Sequence, residues 1–212
     1  MTGWVAITQR REHIERRGEF GDYLDERFAR LIAGAGHRML ALPNDIEAAR
    51  LLLDGIEPRL IVLTGGNDLT GAPAARDTAP QRDGVERHLL DAAARTRTAV
   101  LGICRGAQMI ATHLGAELVD AGTLHAGTVH TLASTVAAPS WPARFEVASH
   151  HRCALPVARL PAALDVLALA QDATCEAFAH RELPWWGLMW HPEREQTPGP
   201  GSALLTDLLT RF

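Results

Sequence analysis

The strongest constraint on the fold is the sequence VLGICRG at residues 100–106, where an apolar run ends in a Gly-x-Cys-x-Gly turn that opens into an amphipathic helix. Such a turn between strand and helix needs glycine on both sides of the central residue, because a Cβ there would collide with neighbouring backbone. A helix starting at Arg105 would direct its free N–H groups and the positive end of its dipole at the Cys104 sulfur, which favours the thiolate. The pattern predicts a nucleophile elbow; the alternative is a buried cysteine at an ordinary turn between a strand and a helix.

A second motif supplies the groups that a cysteine nucleophile needs. The sequence WGLMWHPE at residues 186–193 is a short apolar strand that ends in His191, Pro192 and Glu193. A thiol requires a general base, and the imidazole of that base requires a third group that fixes its tautomer. Pro192 restricts the backbone before it and holds His191 at the strand end. Alone, this motif is typical of a surface turn, but together with the elbow it predicts that His191 and Glu193 serve Cys104.

These two motifs carry a resemblance to a known family. The pairing of Gly-Ile-Cys-Arg-Gly with a downstream His-Pro-Glu resembles the class I glutamine amidotransferase superfamily, and the Cys-Arg-Gly form resembles its γ-glutamyl hydrolase branch. The resemblance covers nearly the whole chain. It implies a catalytic triad of Cys104, His191 and Glu193, and a hydrolase that acts on the carbon–nitrogen bond of a γ-glutamyl amide.

The family also has a Gly-Gly loop after an earlier strand, and the sequence LIVLTGGND at residues 60–68 stands in that place. Attack on an amide carbonyl develops negative charge on oxygen, which closely approaching N–H groups stabilise. We therefore expect an oxyanion hole made of the N–H groups of Gly66 and Arg105, with Gly65 and Asn67 in contact with the substrate. Taken alone, the Gly-Gly sequence is an ordinary turn.

Further substrate-binding residues follow from the resemblance. It points to Gln108, four residues after the nucleophile, and to Ser149, His150 and His151 before the last strands. A γ-glutamyl group offers an α-ammonium and an α-carboxylate, which neutral polar side chains can bind. This chain has Arg152 where many relatives have glutamine, and a surface pair is the alternative interpretation of the two histidines.

Arginines cluster just after the first predicted strand, at residues 10, 11, 16 and 17. Ligands of open α/β sheets bind beyond the carboxyl ends of the strands, and arginine binds phosphate or carboxylate with a bidentate fork. We expect Arg10 to contact an anionic part of the substrate; the alternative is a solvated charged face.

A charged sequence, RDGVE at residues 82–86, matches another pattern of the family. We interpret Asp83 as the cap of the helix that follows. The polar connection before it, residues 71–82, is interpreted as a solvated loop or as a cover of the site.

Alternating apolar and helical segments predict an α/β fold, a flavodoxin-like three-layer sandwich with a mostly parallel central sheet and a small antiparallel extension. Strands are expected near residues 4–8, 38–42, 60–63 and 99–103, and helices near 22–35, 45–53, 82–95 and 105–114. Short strands near 128–137, 144–148, 165–170 and 175–179 form the extension, and a helix over 201–212 closes the chain.

Composition agrees with a single domain over residues 1–212, because 47% hydrophobic residues suffice for one core. The net charge of −4 gives no basic face for nucleic acid, and no run reaches the roughly 18 apolar residues of a membrane helix. The chain begins without a signal-peptide pattern, so we expect a cytoplasmic protein.

The cysteines and histidines outside these motifs suggest no further chemistry. Three cysteines without disulfide spacing indicate reduced thiols, with Cys153 and Cys175 as packing residues. His125 and His130 lack the spacing of metal ligands and are interpreted as loop histidines. We therefore expect no metal and no cofactor.

Together these features predict a stand-alone cysteine hydrolase that releases L-glutamate from a small-molecule γ-glutamyl amide through a glutamyl-thioester intermediate. Within the hydrolase branch, the sequences ITQR, GGND and that around Cys104 most resemble the γ-glutamyl-CDP-amidate hydrolases of capsular polysaccharide phosphoramidate biosynthesis. The alternatives are a γ-glutamyl-amine hydrolase of the γ-glutamyl-GABA type, a glutaminase subunit that supplies ammonia to a separate synthetase, and a non-catalytic binding protein that retains the fold. The sequence leaves a homo-oligomer open, whereas nucleic-acid and membrane partners are not expected.

Overall fold

The computed structural model describes residues 3–73, 75–137, 141–195 and 199–211. Its strands are β1 (Trp4–Thr8), β2 (Arg10–Ile14), β3 (Glu19–Tyr23), β4 (Arg38–Leu42), β5 (Leu60–Leu63), β6 (Ala99–Ile103), β7 (Val119–Asp120), β8 (Ala126–Ser134), β9 (Arg144–His150), β10 (Cys153–Ala154), β11 (Leu164–Leu169), β12 (Cys175–His180) and β13 (Trp185–Leu188). Its α-helices are α1 (Glu26–Gly34), α2 (Ile46–Leu53), α3 (Pro80–Thr96), α4 (Arg105–His113) and α5 (Pro200–Arg211).

A nine-stranded mixed sheet has the order β4-β1-β5-β6-β13-β12-β11-β8-β9. The strands from β4 to β13 pair in parallel, and those from β13 to β9 pair antiparallel. Strands β5 and β6 are buried along their whole length, as expected of central parallel strands that are covered on both faces. The predicted α/β fold is confirmed, and the antiparallel extension is a continuation of the parallel sheet.

Helices cover both faces of this sheet. Successive strand residues point to opposite faces, and since both sets are apolar, both faces are buried beneath helices. On one face, Leu63 and Val100 belong to a core cluster that includes residues of α2, α3 and α4. On the other face, Val62 and Leu101 belong to a cluster that includes residues of α1 and α5. The three-layer arrangement expected from the sequence is confirmed.

The parallel part of the sheet gathers three loops at one edge. Strand β6 pairs with β5 on one side and with β13 on the other. Since parallel strands point the same way, the segments that follow them leave the sheet side by side. These segments contain Gly65, Cys104 and His191, which are far apart in the sequence.

The N-terminal segment differs from the expectation. The helix predicted over residues 22–35 begins only at Glu26, because Glu19–Tyr23 pairs with Arg10–Ile14 as an antiparallel hairpin. The side chain of Asp25 caps α1 by accepting from the Arg27 N–H at 3.0 Å. The hairpin is rich in charged residues and lacks the apolar alternation from which strands are predicted.

The other predicted strands and helices agree with the structure apart from small shifts at their ends. Residue 212 of the predicted final helix lies outside the described residues. In the parts of the chain that the structure describes, none of the helices combines the length and the apolar character needed to cross a membrane.

Candidate active site

Cys104 occupies a sharp turn between β6 and α4. Its backbone has φ 53° and ψ −108°, a conformation of the kind that costs about 1–3 kcal/mol for a residue with a side chain. A Cβ on Gly102 would lie 2.5 Å from the carbonyl group of Gly106, and a Cβ on Gly106 would lie 2.0 Å from the carbonyl oxygen of Leu63. Both glycines are therefore needed for strand, turn and helix to pack, as the elbow prediction requires.

His191 lies beside Cys104 and is oriented by Glu193. Atom Nδ1 of His191 is 2.7 Å from Oε1 of Glu193, and both side chains are almost entirely buried. Because an ionised carboxylate can only accept, Nδ1 carries the hydrogen and Nε2 is left to hydrogen-bond Cys104. The structure thus brings together the three residues predicted to form the triad.

The electrostatics favour a thiolate–imidazolium pair. Burial raises the pKa of the Cys104 thiol, but the hydrogen bond and charge of His191, the charge of His151 and the N–H of Arg105 hold that pKa below its ordinary value. Burial lowers the pKa of His191, but its bonds to Cys104 and Glu193 raise it to about 9. A thiolate is the nucleophilic form of cysteine, and an imidazolium can protonate a leaving amine.

The loop after β5 approaches this pair at Gly65. A Cβ at Gly65 would lie 2.7 Å from Cε1 of His191 and 3.4 Å from Cβ of Cys104. At Gly66, φ is 82°, and a Cβ would meet the side chain of Arg10, 2.3 Å from its Cδ. Because Gly65 has no side chain, the space beside His191 and Cys104 stays free. Gly66 has a backbone conformation that other residues rarely adopt.

A wholly buried arginine fixes the orientation of this loop. Nη1 of Arg82 donates to the carbonyl oxygens of Gly65 at 3.0 Å and Gly66 at 2.6 Å, and Nη2 donates to the hydroxyl of Thr64 at 3.0 Å. In a trans peptide the C=O and the following N–H point in opposite directions. With the Gly65 carbonyl turned to Arg82, the Gly66 N–H points away from Arg82, as the expected oxyanion donor must. That role of Gly66 itself stays a prediction.

The same network reaches the elbow through Glu86. Its Oε1 accepts from Nε of Arg82 at 2.9 Å and from the hydroxyl of Thr8 at 2.8 Å. Its Oε2 pairs with the guanidinium of Arg105, which also pairs with Asp83. Burial opposes ionisation of Glu86, but Arg105 and Arg82 hold its pKa below the ordinary value. The side chain of the residue after the nucleophile is therefore tied to the same acid as Arg82.

The interpretation of Asp83 as a helix cap is wrong. Helix α3 begins at Pro80, its N-cap Ala79 makes no side-chain cap bond, and Asp83 is a buried residue inside the helix. A signal for the ion pair within α3, though not for its contacts with the loop, was present in the sequence. Arg82 and Glu86 are four residues apart on the face that carries the buried Val85, and an ion pair on a buried helix face indicates more than capping.

A cavity of about 1000 Å³ opens over Cys104. Most of the predicted site residues line it, including Arg10, Gly65, Gly66, Asn67, Cys104, Arg105, Gln108, His150, His151, His191 and Glu193. Of these, Asn67 and Gln108 also hold neighbouring backbone. Both amide atoms of Asn67 bond the backbone of Arg11 at 2.9 Å, which fastens the β2–β3 hairpin to the Gly-Gly loop. Nε2 of Gln108 donates to the carbonyl of Cys153 at 3.0 Å.

Ser149 is placed differently from the other predicted substrate-binding residues. Its side chain is wholly buried, and its hydroxyl donates to the carbonyl oxygen of His125 at 2.7 Å. It is not among the residues that line the cavity. The structure therefore gives Ser149 a contact with the backbone before β8, and brings only its neighbours His150 and His151 to the cavity.

The other two cysteines are free and buried, as expected. Burial and the nearby charge of Glu176 raise the pKa of Cys175 to about 12, so this thiol is unreactive at neutral pH. Cys175 belongs to one of the two core clusters. Cys153 Sγ lies 3.3 Å from the carbonyl oxygen of Pro73.

Of the two histidines interpreted as loop residues, His125 lies in the turn before β8, as expected, whereas His130 lies within β8. Both face Glu176 of β12. Within the described residues, His125, His151 and Glu176 form a group whose donor atoms are close enough to hold one metal ion. The spacing of these residues along the chain could not reveal the group, because the sheet brings it together from three segments.

Comparisons with known proteins give a family match and several relatives. The profile of the Peptidase C26 family matches residues 3–193. A γ-glutamyl-CDP-amidate hydrolase from Campylobacter jejuni is 33% identical over 137 residues, which cover 65% of this chain and 63% of the relative. A glutamine-hydrolysing GMP synthase from Bifidobacterium longum is 27% identical over 195 residues, 91% of this chain and 34% of the relative. The matched regions thus span less than two thirds of these relatives.

Solved structures share the fold. A protein from Thermoplasma acidophilum superposes with a TM-score of 0.72 at 22% identity, covering 100% of this chain and 96% of the other. A glutamine amidotransferase from Thermotoga maritima superposes with a TM-score of 0.64 at 18% identity, covering 91% and 77%. At these identities the likeness is one of fold.

Proposed function

The chain belongs to the Peptidase C26 family, and on this premise we propose that it hydrolyses the amide bond of a γ-glutamyl compound through a glutamyl thioester on Cys104. At the level of the family, the matches support the predicted hydrolase acting on carbon–nitrogen bonds. The observation that carries the proposal is the buried Cys104–His191–Glu193 arrangement at a glycine-walled elbow that opens into a large cavity.

The first half of the reaction starts from the thiolate–imidazolium pair of Cys104 and His191. The Cys104 thiolate attacks the γ-carbonyl carbon, and the carbonyl oxygen takes up negative charge between the N–H groups of Gly66 and Arg105. When the tetrahedral intermediate collapses, the carbon–nitrogen bond breaks and the His191 imidazolium gives its Nε2 proton to the departing nitrogen. The products of this half are the free amine or amide and a glutamyl thioester on Cys104.

The second half restores the enzyme. Neutral His191 removes a proton from a water molecule, whose oxygen attacks the thioester carbon. The carbon–sulfur bond then breaks, glutamate leaves with the new oxygen, and the thiolate–imidazolium pair is regenerated. Glu193 keeps the imidazole in the tautomer that both halves require, since its carboxylate accepts the Nδ1 hydrogen throughout.

The finer proposal concerns the leaving group, for which we propose a CDP-amidate. The name of the Campylobacter jejuni relative supports it. Arginines and acids are balanced on the cavity lining, with Arg10, Arg27, Arg105, Arg152 and Arg194 against Glu12, Asp22, Asp25, Asp68 and Glu193. Among the described residues, however, Arg10 and Arg152 each keep a buried Nε without an acceptor. Such donors favour an anionic group, and the cavity exceeds the needs of glutamine alone.

The test is glutamate release by the purified protein alone from L-glutamine, a panel of γ-glutamyl amines and γ-glutamyl-CDP-amidate. Cys104→Ala is the inactive variant, and Cys175→Ala is its matched control because it removes a buried thiol outside the cavity lining. We expect turnover of γ-glutamyl-CDP-amidate with glutamine a poor substrate. Preference for a γ-glutamyl amine would contradict the proposed CDP-amidate leaving group but would support the proposed hydrolase activity. Activity on glutamine only with a synthetase partner would favour a glutaminase subunit.

A further inference from the structure

A buried carboxylate outside the triad is surrounded by imidazole rings. Glu176 in β12 is wholly buried, and the only charged partners that the described residues offer it are histidines. His125 precedes β8, His130 lies within β8, and His151 follows β9. We refer to Glu176 and these three histidines as the Glu176 cluster.

The outer ring nitrogens of two of these histidines are already committed as donors. Nδ1 of His151 lies 3.0 Å from the carbonyl oxygen of Cys153, and Nε2 of His125 lies 2.9 Å from Oδ2 of Asp172. A carbonyl oxygen and an ionised carboxylate can only accept. Each of these outer nitrogens therefore carries a hydrogen, and in the neutral rings the inner nitrogens carry lone pairs.

The inner nitrogens face the carboxylate. Nδ1 of His125 and Nε2 of His151 each lie 3.4 Å from Oε1 of Glu176. Within the described residues, Nδ1 of His125 and Oε1 of Glu176 have no hydrogen-bond partner. Nε2 of His151 also lies within hydrogen-bond distance of Oε2 of Glu176, at 3.4 Å, so the buried negative charge is compensated either by a proton on His151 or by a metal ion among these nitrogens.

Two of the three separations between these atoms match those of a metal site. Zinc binds imidazole nitrogen and carboxylate oxygen at about 2.0–2.1 Å, so the ligand atoms of a tetrahedral site lie about 3.4 Å apart. The two separations measured to Oε1 of Glu176 are both 3.4 Å, and the three donor atoms lie within 4.8 Å of one another. Nε2 of His130, also without a partner in the described structure, is 3.7 Å from Oε2 and is the nearest candidate for a fourth ligand.

The outer contacts complete the resemblance to a metal site. Histidines that bind a metal commonly donate the other ring N–H to a carboxylate or a backbone carbonyl, which fixes the tautomer that can ligate. Asp172 plays this part for His125, and the Cys153 carbonyl does so for His151. His151 also lines the cavity over Cys104, so the cluster lies next to that cavity.

We propose that His125, His151 and Glu176 bind one divalent transition-metal ion, with Zn²⁺ the first candidate, beside but separate from the catalytic triad. The site does not depend on the proposed function, since metal binding is measured in the absence of substrate and of turnover.

The test measures metal binding in a Cys104→Ser background, because Cys104 and His191 could otherwise bind the ion themselves. The protein is stripped with a chelator, dialysed, and titrated with Zn²⁺ and with Co²⁺. We expect one equivalent of Zn²⁺ per chain after gel filtration, and visible Co²⁺ absorption of the tetrahedral type. Thermal unfolding of the same protein is expected to shift upward with Zn²⁺, since an ion that binds only the folded state stabilises it.

Variants locate the ion. Glu176→Gln and His125→Gln, each in the Cys104→Ser background, are expected to abolish the bound equivalent and the thermal shift. His113→Gln is the matched control, because His113 is a partly buried histidine beside Asp91 and outside the cluster. Asp172→Asn is expected to weaken Zn²⁺ binding by about 10-fold to 100-fold without changing its stoichiometry.

Two results would overturn the proposal. One is a Cys104→Ser protein that binds no Zn²⁺ above the level of a buffer blank, in which case protons compensate Glu176. The other is binding that survives equally in Glu176→Gln and His125→Gln. Circular dichroism of each variant establishes that it is folded. If Glu176→Gln does not fold, the location of the ion is decided by Zn²⁺ binding to His125→Gln and by the Co²⁺ spectrum of the Cys104→Ser protein.

Discussion

Nη1 of Arg82 lies 3.0 Å from the carbonyl oxygen of Gly65. Arg82 belongs to a network of buried charged side chains below the Gly-Gly loop that follows β5. Arg82 does not line the cavity, so it acts on substrate only through the loop that it holds. This relationship makes Arg82 a positioning residue for the expected oxyanion hole.

Arg82→Lys is expected to lower kcat for glutamate release. A lysine keeps a charge beside Glu86, but its donors all lie on one nitrogen and cannot span the contacts that the three nitrogens of the Arg82 guanidinium make with Glu86 and the loop. Misplacing one oxyanion donor costs about 10²-fold to 10³-fold in rate. Arg87→Lys is the control, since Arg87 lies on the same helix with its side chain half-exposed. Equal rates for the two variants, with both folded, would exclude this role.

Cys104 is expected to react with iodoacetamide below the pH at which ordinary thiols react. Its pKa is held below the ordinary value by His191, whereas Cys175 has a pKa of about 12 and is wholly buried. Mass spectrometry of the labelled peptides measures the rate at each site. Alkylation at Cys104 only above pH 9, or alkylation of Cys175 as fast as that of Cys104, would contradict the ion pair.

The pH profile of kcat/KM should fall on its alkaline side with a pKa near 9. His191 has a folded-state pKa of about 9, and its proton is needed by the leaving group. As pH rises through that value, His191 becomes neutral and activity is lost; as pH falls through the lowered pKa of Cys104, the thiolate is lost. Glu193→Gln removes one cause of the raised pKa and should move the alkaline limb to lower pH. An unchanged alkaline limb in that variant would contradict the assignment of this limb to His191.

Gly106→Ala is expected to destabilise the fold. The new Cβ would lie 2.0 Å from the carbonyl oxygen of Leu63, so strand β5 or helix α4 must move, and overpacking of this kind costs about 1–3 kcal/mol or more. Gly34→Ala in α1 is the matched control, because a Cβ there meets nothing within 4 Å, and it should stabilise by about 0.5–1 kcal/mol. Urea unfolding compares the two, and equal stabilities would show that the elbow tolerates a side chain.

The sequence predicted those parts of the site that depend on local pattern. The glycines around Cys104, the proline after His191 and the apolar runs before both motifs act through neighbouring residues. The order of the parallel strands then placed the motifs together, which the α/β pattern also indicated. Motif and topology were therefore sufficient to predict the three-layer fold and the proximity of Cys104, His191 and Glu193.

Interactions between distant segments were not predictable in the same way. Arg82 meets the Gly65 carbonyl only because α3 packs beneath the loop after β5, and Glu176 meets His125 only because β12 and β8 are brought near each other in the antiparallel part of the sheet. A charged residue looks solvated in a sequence until its neighbours are known. The β2–β3 hairpin escaped prediction for a different reason, because its charged strands lack apolar alternation.

The most direct test of the central claim is a search for the covalent intermediate. Intact-protein mass spectrometry after a rapid acid quench, during turnover of a γ-glutamyl substrate, should show the chain with the added mass of one glutamyl group. Peptide mapping should place that group on Cys104, and Cys104→Ala should give neither adduct nor glutamate. Turnover that continues in Cys104→Ala, or an adduct on another residue, would contradict the account.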